Sequence, residues 1–465
     1  MNVIFVMSDS FRRDHVGAFG NPWIRTPALD RFAAQSVSFP HFFTGSYPTI
    51  PQRTDLFTGR YSYGDRPWQP LKKEDVVLPE ILSAAGVDTY LSADTPHLFR
   101  SAQMTFTRGF DGVHWSRGSE GDLWWTDFYN EQEYRPPDGQ GRVRISEATY
   151  RRMWSQGRRR VSELDWVSPQ TFQAAIEWLT RNGRRNSFFL YIDTFDPHEP
   201  WDPPRWASDL YGDPEDRGEP YAWAEYGSAR QYGPRELGRL RARYAGECTL
   251  VDRWFGRLVD TVDLLGLGDR TMIVFTSDHG HYLGYPGDGG QVGKWMGYRR
   301  SDGKMAGADA DVFVPLLDPV CRPPLIVRLP GARSGASRAE LVQPVDLMPT
   351  VLEFLGAAAP DGLHGRSLLP LLRGRRVPWR PYAVTAAHGG LAQITDRRWL
   401  YGAWPHRQPP KLFDRESDPH QRRDARREHP HIARRLHDRL VREMRAVGAP
   451  AEWVAQIEAK RPDQR

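Results

Sequence analysis

Three short apolar runs in this 465-residue chain end in acids or histidines. "VIFVMSDS" is apolar over residues 3–7 and then offers Ser8, Asp9 and Ser10. "SFFLYIDTFDPHEP" is apolar over residues 188–192 and then carries Asp193, Asp196 and His198. "TMIVFTSDHG" is apolar over residues 272–275 and then carries Asp278 and His279. Carboxylates with imidazole suit a divalent cation such as Mn²⁺, Mg²⁺, Ca²⁺ or Zn²⁺. Any one of these acids alone could be a cap or a surface turn. The three tips together point to a metal site that includes Asp9, Asp278 and His279. A cation held by acids calls for a nucleophile beside it. An alcohol attacks poorly near neutral pH unless metal coordination lowers its pKa. The stretch "SYPTIPQRTDLFTGR" supplies one, Thr49, in a loop stiffened by Pro48 and Pro51. Thr49 reads either as a solvated loop hydroxyl or as the attacking group. A helix-like "RTDLFTG" follows, and a helix N-terminus behind Thr49 would favour an anion there. Arg53 could hold that anion's oxygens or orient the nucleophile.

These residues need elements to bring them together. Short continuous apolar runs ending in polar tips predict strands buried on both faces. "SPQTFQAAIEWLTRNG" predicts a helix with Ser168 as N-cap and Pro169 at the first helical position. Its apolar stripe is Phe172, Ala175, Ile176 and Leu179, and Gly183 stops it. Residues 236–265 place Leu240, Tyr244, Cys248, Val251, Phe255 and Leu258 three or four apart, a long amphipathic helix. Helices alternating with fully apolar strands predict an α/β fold: a large mixed, mostly parallel sheet sandwiched by helices. Ligands gather beyond the carboxyl ends of such strands, so the polar tips can converge. "RPPLIVRLPG" predicts another strand and "PVDLMPTVLEFLG" a helix ended by Gly356. The expected catalytic domain is residues 1–375, with insertions at 129–160 and 202–233. A smaller C-terminal α+β domain of short strands and a charged helix is expected over 376–465.

Composition narrows the class. The chain is 39% hydrophobic and 26% charged, which supports a sizeable core and argues against wholesale disorder. Its net charge of +5 is small beside 63 basic and 58 acidic residues, so no nucleic-acid partner is expected. Two cysteines, Cys248 and Cys321, do not make a disulfide framework. No apolar run approaches the roughly 20 residues that span a bilayer, so no membrane association is expected. The N-terminus lacks a signal-peptide layout, and a cytoplasmic setting is the expectation. A homo-oligomer is left open.

The same residues carry a family resemblance. The chain resembles the sulfatase family, within the alkaline phosphatase superfamily. "VIFVMSDSFRRDHVGAFG" resembles that family's first metal-binding strand. "TIPQRTDLFTGRY" resembles its signature: Cys or Ser, any residue, Pro, any residue, Arg, then a Leu-Thr-Gly-Arg-like tail. "YAGECTLVDRWFGRLVDTVDLLGLGDRTMIVFTSDHGHYLG" resembles the helix and strand that bring the second pair of metal ligands. "PPLIVRLPG", "VQPVDLMPTVLEFLG", "HGRSLLPLLRG" and "LFDRESDPHQRRD" resemble later segments in the right order.

The resemblance implies roles. Asp9, Asp278 and His279 match metal ligands, with the Thr49 oxygen against the cation. Thr49 matches the position of the formylglycine precursor, and Arg53 the signature Arg that supports the nucleophile. His198, in "DPHEPW", matches a His at the substrate anion or leaving oxygen. Lys294, in "QVGKW", matches a Lys near the anion. His97, in "DTPHLF", survives from a Gly-Lys-Trp-His segment as a substrate-binding residue, with Thr95 where the Lys would be. Ser10 stands where the family often has a second acid. Asp193, Asp196 and His198 offer part of a second cation site, but one metal per chain is expected. "RGSEGDLWW", with Arg117, Glu120 and Asp122, could border the pocket, or its aromatics form a buried wall, and His364 reads as structural.

Thr49 departs most from the pattern. Formylglycine is made from Cys or Ser, and oxidising threonine would give a ketone. Thr49 should therefore act unmodified. A formylglycine hydrate releases sulfate by elimination, whereas a sulfated threonine must be cleaved by water directly. Phosphoryl-enzymes on Ser or Thr are hydrolysed in related members of the superfamily. The expected substrate is a small anionic ester: a phosphate ester, phosphodiester or phosphonate monoester. A sulfuric ester is the alternative, and an inactive anion-binding descendant a further one. Capture of the covalent intermediate by an alcohol, which would make the enzyme a transferase, is not separable from hydrolysis by sequence.

Overall fold

The computed structural model describes residues 1–100, 105–120, 122, 157, 160–213, 215, 223–294, 298–299, 305–306, 316–405 and 409–462. The run Asn2–Ser8 is a strand buried along its whole length. Its side chains alternate between two cores: Val3, Phe5 and Met7 enter one, Ile4 and Val6 the other. Both faces are covered, which is why the run is continuously apolar.

An eight-stranded sheet carries this strand near its middle. The order is Ala336–Ser337, Val37–Ser38, Leu325–Arg328, Thr271–Thr276, Asn2–Ser8, Phe188–Thr194, Asp88–Ala93 and Gly112–Trp115. Asn2–Ser8 pairs in parallel with Phe188–Thr194 and Thr271–Thr276. Leu325–Arg328 runs antiparallel to Thr271–Thr276, so the sheet is mixed and mostly parallel. The three polar tips therefore leave from adjacent parallel strands and share one edge of the sheet.

Helices close both faces. Phe172, Ala175 and Leu179 of helix Val167–Asn182 pack with Tyr244, Cys248 and Phe255 of helix Pro234–Leu264 over one face. Ile50, Leu56 and Phe57 of helix Thr49–Thr58 pack with Met348 and Val351 of helix Leu347–Leu355 over the other. Two helix starts differ from the expectation. Val167–Asn182 begins before Ser168, whose buried hydroxyl accepts a hydrogen bond from Thr194 Oγ1 at 2.8 Å instead of capping. Thr49 lies on a helix and not in a loop: the Gln52 amide donates to the Pro48 carbonyl at 3.0 Å and closes the first turn there. Pro51 is tolerated because a first-turn residue has no intrahelical N–H bond to lose.

A second, antiparallel sheet follows in chain order: Ala383–Ala386, Ala392–Thr395, Trp399–Ala403 and Lys411–Asp414. Helices Pro430–Ala446 and Ala451–Glu458 bury its apolar face. Its first strand docks beside the segment that delivers Thr49. Ala386 donates its amide to the Gly45 carbonyl at 3.0 Å and accepts from the Tyr47 amide at 2.9 Å.

Of the expected insertion at 129–160, all but residues 157 and 160 lie outside the described residues. Within 202–233, helix Arg205–Ser208 packs on Pro234–Leu264, and Gly227–Ser228 pairs with Gln291–Gly293. Among the described residues no helix is long and apolar enough to cross a membrane.

Candidate active site

Asp9 is the first residue past its strand, tied down by its amide to the Thr194 carbonyl at 2.9 Å. Ser10 follows with φ of 63°, a left-handed conformation that only local bonding makes tolerable for serine. That bonding is present. The Ser10 amide donates to Asp278 Oδ1 at 3.0 Å and its hydroxyl to Asp9 Oδ1 at 2.8 Å. Ser10 thus ties two acids together instead of adding a third. On the neighbouring strand end, Gly280 follows His279. A Cβ at Gly280 would lie 1.9 Å from the Pro319 carbonyl oxygen, so only glycine fits that approach.

Arg53, one turn into its helix, has no exposed surface and reaches three carboxylates. Its Nε and Nη2 grip Asp193 at 2.8 and 2.7 Å. Nη1 donates to Asp278 Oδ2 at 2.8 Å, and Nη2 lies 3.2 Å from Asp9 Oδ2. Asp193 also accepts from Thr95 Oγ1 at 2.5 Å and Tyr191 Oη at 2.9 Å. With both oxygens so occupied, Asp193 orients Arg53 and leaves no lone pair directed at a second cation.

The donor atoms of Asp9, Asp278 and His279 lie within 4.8 Å of one another, close enough to share one ion. His279 Nδ1 faces the Gly280 carbonyl at 2.9 Å and so carries the proton, which leaves the Nε2 lone pair towards the acids. Burial, helped by Lys294, pushes the His279 pKa down to about 4 against the pull of Asp278, so the ring is neutral. Burial, and then Asp278, push the Asp9 carboxyl well up despite Arg53 and Lys294. Burial also opposes ionisation of Asp278, but His279, Arg53 and the Ser10 amide hold its pKa below the ordinary range. Asp9 Oδ2 is buried without a hydrogen bond, although Arg53 is near. An under-compensated carboxylate oxygen beside a free imidazole lone pair fits a divalent cation.

Thr49 Oγ1 lies 3.4 Å from His279 Nε2. No side chain caps the helix that Thr49 begins, so its first-turn amides suit an anionic group.

A second cluster borders the first. Lys294 Nζ donates to His198 Nε2, and His198 Nδ1 faces the Glu199 carbonyl at 2.6 Å. The His198 proton therefore sits on Nδ1, and burial, with Lys294, keeps the ring neutral against Glu199. The Glu199 carboxylate lies 3.3 Å from His281 Nε2 and 4.0 Å from Lys294 Nζ, and accepts from Tyr226. Tyr47 joins the two clusters. Its ring packs 5.2 Å from His279 and its hydroxyl donates to the Lys294 carbonyl. His97 stands apart. Its Nε2 lies 3.3 Å from Glu120, and its ring is across Phe195 from His198. A polar cavity beside His198 is lined by Glu120, Arg160, Phe195, Asp196 and Asp202. Arg117 pairs with Asp122 at 2.6 Å outside that lining, and His364 stacks on Tyr61 with its Nδ1 taking the Tyr61 amide at 3.0 Å.

Glu199, His281, Tyr47 and the role of Asp193 were not legible as site features. The only cue was an acid and a histidine each set beside a motif histidine, in "PHEP" and "DHGH".

The chain is similar in sequence and in fold to known proteins. The family model described as "Sulfatase" matches residues 1–357, and one described as "N-sulphoglucosamine sulphohydrolase, C-terminal" matches residues 315–446. The chain is 26% identical over 463 residues to an arylsulfatase of Clostridium perfringens, covering 90% of this chain and 88% of that one. It is 27% identical over 491 residues to the multifunctional alkaline phosphatase superfamily protein PehA of Trinickia caryophylli, covering 90% of each. Among solved structures, the phosphonate monoester hydrolase of Agrobacterium radiobacter superposes with a TM-score of 0.68 at 22% identity. That superposition covers 96% of this chain and 95% of that one, and shows the shared fold. The family match runs unbroken from the first strand past helix Leu347–Leu355, and on that ground the chain belongs to the sulfatase family.

Proposed function

We propose that this sulfatase-family ester hydrolase cleaves a phosphate ester, phosphodiester or phosphonate monoester with unmodified Thr49 as its nucleophile. The observation that carries the reading is the place of the Thr49 hydroxyl: on the first residue of a helix and 3.4 Å from Nε2 of His279, whose donor atom clusters within 4.8 Å of those of Asp9 and Asp278. Asp9, Asp278 and His279 would hold one divalent cation, which when bound supplies Lewis-acid polarisation and a lowered alcohol pKa.

The chain's own residues supply the rest. Arg53, locked by Asp193, keeps the acids from repelling one another and fixes the first turn of the helix. Thr49 gives its hydroxyl proton to water, Oγ1 bonds to phosphorus as the ester P–O bond breaks, and first-turn amides face the charge on the transferring group. Lys294 donates to His198, and the pair would pass a proton to the departing oxygen. Water then cleaves the phosphothreonine and restores the hydroxyl. Glu120, which lines the cavity beside His198 and pairs with His97, would border the organic part of the substrate.

A sulfuric ester is the second reading, favoured by the likeness to an arylsulfatase. Threonine counts against it, because a sulfated threonine has no second hydroxyl through which to eliminate sulfate. The test is a panel of 4-nitrophenyl phosphate, bis(4-nitrophenyl) phosphate, 4-nitrophenyl phenylphosphonate and 4-nitrophenyl sulfate, run with each metal after chelation. Metal-dependent turnover of a phosphorus ester in excess of the sulfate is expected. Turnover of the sulfate alone would replace the first reading with the second, and no turnover at all would leave an anion-binding protein.

A further inference from the structure

A second cleft of about 470 Å³ opens beside the turn that follows the first strand. None of Asp9, Thr49, Arg53, Asp278, His279, His198 or Lys294 lines it. One wall is strongly basic. Asp318 takes Arg322 on one carboxylate oxygen at 2.9 Å and Arg415 on the other at 3.2 Å. Arg13 faces the same group, repelled by Arg322 and drawn by Asp318, and among the described residues it has no ion pair of its own. Asp318 and the Arg12-bound Asp14 are thus the carboxylates that draw these guanidiniums, and neither pairs with Arg13. Burial and Arg322 push Arg13 down to about 10, in keeping with a cation short of a counter-charge. Arg12, also in the wall, is already held by Asp14 at 2.6 Å and Asp288 at 2.9 Å, so it leaves the imbalance where it is.

The rest of the wall is aromatic. Arg13 lies 5.4 Å over the Phe19 ring, and Arg12 lies 5.2 Å over Tyr285. Trp23 is 43% exposed, a large ring left uncovered in the cleft that Arg13 also lines. A guanidinium in a partly desolvated cleft gains most from an oxyanion that matches its fork. An exposed indole gains most from a flat or ring-shaped apolar surface. Both line this cleft.

We propose that this cleft binds a small organic anion: a sulfate, sulfonate, phosphate or carboxylate group on a ring. Arg13 holds the oxyanion, with Arg322, already bonded to Asp318 and the Pro40 carbonyl, adding positive charge behind it, and Trp23 covers the ring. The site stands apart from the catalytic reading above and does not depend on it.

Isothermal titration of the full, metal-loaded chain at fixed ionic strength tests the proposal. The probe is 2-naphthalenesulfonate, which has no ester bond for the active site to cleave. Saturable binding is expected, weakened about tenfold or more in Arg13→Gln and in Trp23→Ala. The melting temperature should stay at the wild-type value in both variants, which shows that they fold, and any aryl ester hydrolysis should be unchanged. Inorganic sulfate and neutral 2-naphthol should each bind about tenfold or more weakly than the probe. Unchanged probe affinity in both variants would overturn the site. Equal affinity for 2-naphthol would overturn the anion requirement, and equal affinity for inorganic sulfate would overturn the ring contact.

Discussion

Without the Arg53 guanidinium, three buried carboxylates would face one another with nothing between them. Asp9, Asp193 and Asp278 all lie within 3.2 Å of it, and none of the four side chains is exposed. Breaking a buried ion pair by removing one partner costs about 3–5 kcal/mol, because the charge left behind has no water to turn to. Arg53→Lys is the sharper test. A lysine keeps the charge but cannot grip both oxygens of Asp193 while donating to Asp278. The expected outcome is a folded protein with a lower melting temperature and kcat/KM down about 100-fold or more. Wild-type kinetics in that variant would show that the fork geometry is irrelevant to turnover. Asp193 could be read in sequence as an acid at a strand tip, but its commitment to Arg53 could not. That depends on Thr95 and Tyr191 also donating to it, and so on which strands are neighbours.

Two strand ends and one helix start make the site, and each is fixed by backbone contacts as much as by side chains. Apolar runs ending in acids were legible because strands buried on both faces must be apolar throughout. Their adjacency is a property of the sheet: Met7 lies level with Asp193 on one side and Thr276 on the other. The start of the Thr49 helix was not legible. Pro48 and Pro51 signal a turn, yet both suit the N-terminus of a helix equally well. Gly280 is the most constrained point among these elements, pressed against the Pro319 carbonyl with its amide on the Val320 carbonyl at 2.8 Å. Gly280→Ala must move either Pro319 or His279. Loss of activity with a raised requirement for added metal is expected, read from rate against metal concentration. An unchanged metal dependence would mean that the 278–280 turn does not hold its ligands in place.

Across the whole molecule the second sheet is tied to the first through the segment that carries Thr49, so its stability bears on the site. Asp414, at the end of its last strand, takes both arms of Arg398 at 2.9 and 2.7 Å, with Ser417 and the Glu416 amide adding bonds. Its carboxyl is held below the ordinary range by the Arg398 bonds first, with partial burial opposing. A depressed folded pKa gives stability that is present above the unfolded value of about 3.9 and is lost as pH falls through the folded one. Asp414→Asn should therefore lower the urea midpoint at neutral pH and flatten its fall below about pH 4. An acid limb as steep as wild type would assign that dependence to other carboxylates. Short strands were legible between Tyr382 and Tyr401, but strand Lys411–Asp414 was not, and neither was the docking on Gly45 and Tyr47, because that contact spans some 340 residues. The most direct test of the account is the mass of the intact protein, quenched during turnover of a slow phosphate or phosphonate ester. A phosphoryl or phosphonyl adduct on Thr49 is expected in wild type, absent in Thr49→Ala together with turnover. Full turnover by Thr49→Ala, or an adduct on any other residue, would contradict the claim that an unmodified threonine is the attacking group.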